Sequence, residues 1–164
     1  MTNTTSFTDS YSILFIIFEC WAEIDADDLI KDKDIRKDKV LDYAQAISLA
    51  LEQSKYSFLI SLLRGVEGYG NSPPLRMLPA IAEVLDRIKK GFKVGVQPKH
   101  TQIEKYMIYR HVSKLYCNDD LTLENACYQT AQMYNISFEQ VKKIRLQCLR
   151  HPKLPKYKKG INHP

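Results

Sequence analysis

The longest uninterrupted apolar run in this chain is only six residues, Ile13 to Phe18, and Glu19 stops it. A membrane-spanning helix needs roughly 18 or more such residues, so no transmembrane segment and no membrane partner are expected. Cysteine is equally sparse. Cys20, Cys117, Cys127 and Cys148 stand at unrelated spacings inside predicted helices, which excludes a disulfide scaffold and fits a reducing compartment. The N-terminus has neither a basic stretch leading into an apolar segment nor a small-residue cleavage site, so a cytoplasmic protein is expected. No nucleophile sits beside a general base in a recognisable pattern, and His100, His111, His151 and His163 are scattered. Catalysis, a cofactor and a small-molecule substrate are therefore not expected. Gly65, Gly68 and Gly70 are followed by no Gly-Lys-Ser/Thr and preceded by no strand, so a phosphate-binding loop is excluded as well. There is no repeat and no low-complexity tract.

Charge is present but unevenly placed. Met1 to Gly91 carries 11 Lys+Arg against 14 Asp+Glu, a balance of −3, whereas Phe92 to Pro164 carries 13 against 5, or +8. From Val141 to Lys159 there are eight basic residues and no acid, a density that attracts a phosphate backbone or serves as a solubilising tail. The opposite extreme is Glu19 to Asp34, with seven carboxylates in sixteen residues. Glu19, Glu23 and Asp27 can share a helical face, but the Glu-x-x-His pattern of carboxylate metal sites is missing. Asp25-Ala-Asp-Asp likewise fails as a calcium loop, because Leu29 and Ile30 stand where an oxygen ligand and a glycine are required. A solvated helix end, or a surface for a basic partner, is what remains.

Periodicity predicts helices throughout. Tyr11 to about Ile24 has no clearly polar face and should be buried on most sides. Val40, Ala44, Ile47 and Leu51 define a helix over about Lys37 to Gln53. Ser54 can cap a very apolar segment, Lys55 to Arg64, expected in the core. Gly65 to Pro74 is a loop, Leu75 to Lys90 a helix that tolerates Pro79 only in its first turn, and Gly91 its end. Phe92 to Lys99 reads as an extended connector or edge strand and as the domain boundary. Met1 to Ser10 is unpatterned and expected to be frayed.

After a helix over Thr101 to Cys117, the stretch Leu121 to Arg150 is the most informative in the chain. Leu123, Cys127, Thr130, Ala131 and Tyr134 fall on one helical face. Asn135 follows, a residue that enters positive φ at modest cost. Ser137-Phe-Glu-Gln140 is then a capping-box pattern that starts a second helix with Val141, Ile144 and Cys148 inward.

In these positions the segment resembles the helix-turn-helix superfamily, a likeness that covers about a fifth of the chain. Ala131 matches the small residue at the helix crossing, Asn135 stands where glycine is usual, Ile136 and Val141 match apolar positions, and Ser137 matches the start of the recognition helix. The resemblance implies that Ser137, Phe138, Glu139, Lys142 and Lys143 face a DNA major groove. Ser137, Phe138 and Glu139 include no Arg, Asn or Gln for bidentate base contacts.

The sequence thus leads to an all-α protein: an N-terminal helical bundle (residues 11–91), a C-terminal tri-helical helix-turn-helix module (99–151) and a basic tail (152–164). The expected function is DNA-binding regulation, with Lys142, Lys143, Arg145, Arg150, Lys153, Lys156, Lys158 and Lys159 on phosphates. The alternative is a non-enzymatic inhibitor or adaptor, of the kind mobile elements carry, acting on a protein or nucleoprotein partner through Phe138. Residues 11–91 are a candidate protein-partner or homodimer surface. A zinc site from Cys117, Cys127, Cys148 and His151 is the one metal arrangement the spacing allows, although two of those cysteines lie on core faces.

Overall fold

The computed structural model describes residues 11–65, 72–93, 95, 97–152 and 154–159. Among these residues the protein is all-helical, without a strand: α1 (Tyr11–Ala26), α2 (Lys33–Gln53), α3 (Ser57–Leu63), α4 (Leu78–Lys89), α5 (Gln102–Cys117), α6 (Leu123–Tyr134) and α7 (Phe138–Arg150), with a single 3₁₀ turn at Leu75–Met77 leading into α4. No described helix is long and apolar enough to cross a membrane. The fraying expected of residues 1–10, and most of the loop expected before Pro74, lie outside the described residues.

The chain divides into two compact units, residues 1–103 and 104–164. That division falls just inside α5, downstream of the charge boundary at Gly91, because the intervening segment is tied to the first unit. Gln53 Nε2 donates to Pro98 O at 2.9 Å, Thr101 Oγ1 meets Gln45 Oε1 at 3.0 Å, and the Gln102 N–H donates to the Glu52 carboxylate at 3.3 Å. A carboxylate there also suits the positive end of the α5 dipole. By this division the first unit carries 13 Lys+Arg against 14 Asp+Glu, and the second 11 against 5, or +6.

In the first unit α1 packs along α2, which also contacts α3 and α4. Ile13, Ile17, Tyr43, Ala44, Ile47, Leu59, Leu62 and Val84 are almost fully buried there. Ala44 and Ala46 leave no room for solvent between the helices. Tyr43 satisfies its buried hydroxyl on Leu62 O at 3.4 Å, and Trp21 Nε1 donates to Lys37 O at 3.2 Å. The acidic segment is used internally: Arg76 bridges Glu19 and Glu23, and Lys37 pairs with Asp25 at 2.7 Å.

Two local expectations are revised. Ser54 does not cap α3; it ends α2 in the left-handed region (φ 54°), and Tyr56 precedes α3 without a side-chain cap. A helix of seven residues then buries only one face, so Leu59 and Leu62 enter the core while Ile60 remains exposed. The end of α4 follows the sequence more closely. Gly91 (φ 66°) donates to Ile88 O at 3.1 Å and Phe92 to Arg87 O at 3.0 Å, the paired bonds that close a helix through a left-handed residue.

Candidate nucleic-acid interface

The second unit is small, and its buried face is assembled from α5, α6, α7 and the segment after α7. Tyr106, Ile108, Tyr109 and Val112 on α5, Ala126, Cys127, Thr130 and Ala131 on α6, and Val141, Ile144 and Cys148 on α7 are buried. Thr130 returns its hydroxyl to Ala126 O at 2.8 Å and Ser113 to Tyr109 O at 2.8 Å, so these polar groups are buried with partners. His111 lies edge-on to Tyr134. Its imidazole is held below the usual range by burial first and by Lys114 second.

The turn between α6 and α7 is specified by three residues. Asn135 adopts φ 52°, ψ 48°, and Ile136 donates across it to Ala131 O at 3.0 Å. Ser137 then caps α7: its Oγ accepts from Gln140 N–H at 3.2 Å while Gln140 Oε1 accepts from Ser137 N–H at 3.3 Å. Asn135→Gly is expected to be neutral or mildly stabilising. Asn135→Val should cost about 1–2 kcal/mol, since a β-branched side chain clashes in the left-handed region. A thermal melt indifferent to the valine would contradict this account of the turn.

Opposite the inward stripe, α7 exposes Glu139, Lys142, Lys143 and Arg150, while Arg145 is half-buried. Phe138 is not the free outward side chain the register suggests. It is half-buried, stacked on Tyr128 of α6 with ring centroids 4.3 Å apart, and Lys142 Nζ lies 5.2 Å from its ring centre. Glu139 approaches Lys142 only to 3.9 Å. Phe138 also lines an open groove of about 490 Å³ along the α6–α7 seam, together with the apolar Leu123, Cys127 and Leu146 and the charged Glu124, Lys142 and Arg145. The helix-turn-helix pattern does not point to Tyr128, Leu123 or Leu146 as site residues. Their apolar character was legible, but Tyr128 and Phe138 sit on different helices and no periodicity joins them.

The basic tail also differs from a projecting arm. Leu154 is buried, Tyr109 donates its hydroxyl to Pro155 O at 2.9 Å, and the Tyr106 and Tyr157 hydroxyls share a hydrogen bond at 3.2 Å. Burial raises the Tyr106 hydroxyl far above the ordinary range and pushes Tyr109 up to about 12. Lys156 folds back so that its ammonium donates to Cys148 O at 3.3 Å and His151 O at 2.8 Å, neutralising the negative end of the α7 dipole. Lys159 pairs with Asp120 at 3.1 Å and lies over Tyr116. Of the basic residues assigned to phosphates, Lys142, Lys143 and Arg150 lie exposed on α7, Lys158 is exposed beyond it, Lys156 and Lys159 are engaged within the unit, and Lys153 lies outside the described residues.

Cys117, Cys127 and Cys148 are buried free thiols. Burial raises all three, Cys148 to about 11, which makes them weak nucleophiles. No group of three or more His, Cys, Asp or Glu among the described residues is placed to hold a metal ion, the spacing Cys148-x-x-His151 included. No protein-family model matches the chain, and comparison with curated proteins and with solved structures gives no match.

Proposed function

We propose that this is a DNA-binding regulatory protein in which α6 and α7 act as a helix-turn-helix pair and α7 lies toward the duplex. The observation that carries the reading is the division of α7 into two faces: Val141, Ile144 and Cys148 are buried, while Lys142, Lys143 and Arg150 are exposed, with no acid anywhere from Val141 to Lys159. In this reading those three side chains and Lys158 meet phosphates, and Ser137, Phe138 and Glu139 approach base edges. Recognition of bases is then weak in hydrogen bonds. Ser137 and Gln140 are committed to the capping box, and Glu139 repels phosphate, so the apolar edge of Phe138 against a thymine methyl is the main source of discrimination. Backbone attraction supplies most of the affinity.

A second reading is favoured by the groove. Its apolar floor and the Phe138–Tyr128 stack suit an interface hot spot, and Lys142 and Arg145 at the edge suit an acidic protein partner. Phe138→Ala separates the two. Loss of the stack costs about 0.5–1.5 kcal/mol beyond the area uncovered, leaving a folded variant. If DNA binding is the function, the variant loses discrimination between duplex sequences in a fluorescence-anisotropy titration and keeps its salt-sensitive affinity. If protein binding is the function, duplex titrations with the variant and the parent coincide in both discrimination and affinity, and Phe138 is removed from base recognition.

A further inference from the structure

From the α6–α7 seam we infer a binding site for a small amphiphilic anion, a single carboxylate carried on an apolar body. The groove there encloses about 490 Å³. That is the size of a small-molecule site, and such sites combine a largely apolar lining with a few charged groups that fix one end of the ligand. Leu123 and Cys127 of α6 and Phe138 and Leu146 of α7 supply the apolar part. Leu146 is 47% exposed, so hydrocarbon laid along the seam removes apolar surface from water on both partners.

The charged end is Arg145. This side chain is half-buried, lines the groove, and makes neither a hydrogen bond nor an ion pair among the described residues. Its charge reaches inward, since it opposes the effect of burial at the Cys127 and Cys117 thiols. A guanidinium drawn partly out of water without an acceptor is short of hydrogen bonds, and a carboxylate supplies two in the geometry that matches its fork. Lys142 stands beside it. Its Nζ lies 5.2 Å from the Phe138 ring centre and comes only within 3.9 Å of the exposed Glu139, a pair of little strength.

The head group follows from the charge of the groove. Arg145 and Lys142 stand against Glu124, the one acid in the lining, which leaves a surplus of one positive charge. Glu124 pairs with neither cation among the described residues; it lies exposed in the first turn of α6, where it suits the helix dipole. One carboxylate neutralises the surplus. A phosphate monoester brings a second negative charge toward Glu124, and a duplex backbone would lay hydrated sugar and phosphate on four apolar side chains. The site does not depend on α7 meeting DNA.

An isotope-edited NMR titration of the full chain with octanoate tests this. The expected result is a saturable shift of amide signals in α6 and α7, centred on Leu123, Cys127 and Arg145, that 1-octanol at equal concentration does not reproduce. Arg145→Gln should weaken the interaction about 10-fold or more, as loss of a charged hydrogen-bonded pair does, and Arg145→Lys should recover only part of it. Leu146→Asp, at an exposed position, should weaken it as well by setting a like charge against the carboxylate. No shift with octanoate, shifts centred on other exposed apolar side chains such as Leu75 and Leu85, 1-octanol binding as tightly as octanoate, or variants that bind as the parent does would overturn the site. Octyl phosphate binding more tightly than octanoate would overturn the choice of head group. An acidic peptide that shifts the same amides where octanoate does not would overturn the small-molecule assignment in favour of a protein partner.

Discussion

Truncation after Pro152 is expected to destabilise the C-terminal unit by about 3–5 kcal/mol. The segment removed contains the buried Leu154, whose transfer back to water costs about 2 kcal/mol. It also contains Tyr157, in ring contact with Tyr109 and hydrogen-bonded to Tyr106, worth roughly 1–2 kcal/mol together. The Lys156 ammonium at the end of α7 adds about 0.5–1 kcal/mol. A unit of this size has only about 3–9 kcal/mol of total stability, so the loss approaches the whole. Urea unfolding followed at 222 nm should show part of the helical signal melting early in the truncated chain. An unchanged profile would mean that residues 154–157 do not dock on α5. The same contacts explain why deleting the tail is a poor test of its charge: folding and binding would be lost together.

Point reversals avoid that difficulty. Changing Lys142, Lys143 and Arg150 to Glu alters the net charge of the α7 face by −6 and touches only exposed side chains, at a stability cost within about 0.5 kcal/mol each. If α7 lies against a duplex, each reversal removes one phosphate contact and adds a repulsion. The combined loss should be at least roughly 100-fold in affinity near physiological salt, with similar losses for every sequence, since phosphate contacts carry no sequence information. An anisotropy titration in which the triple variant keeps the parent's affinity would remove α7 from the interface.

Legibility from sequence was greatest where the signal is local. Asn135, Ser137 and Gln140 lie within six residues, and left-handed geometry and the capping box are decided by those side chains alone. The helical class was legible for the same reason, because 3.6-residue periodicity recurs along the chain. Ser54 suits two roles, the start of α3 and the end of α2, and its left-handed backbone at the end of α2 decides for the second. What the sequence did not yield is tertiary. The Tyr128–Phe138 stack, the docking of Pro155 and Tyr157 on α5, and the turning of Lys156 onto the carbonyls of α7 each join residues whose spacing follows no helical register. The sequence pattern assigns all eight cations of α7 and the basic tail to phosphates, whereas Lys156 and Lys159 are held within the unit.

Whether α7 presents its cations to a nucleic-acid backbone is decided by the salt dependence of binding to random-sequence duplex DNA. With about four phosphate contacts, the logarithm of the association constant should fall linearly with the logarithm of salt concentration, at a slope near −3.6, or roughly 100-fold between 50 and 200 mM. Replacing Lys142 and Lys143 by Gln should reduce the magnitude of that slope by about 2. No binding at low salt, or binding whose slope is the same in the parent and the variant, would contradict the account.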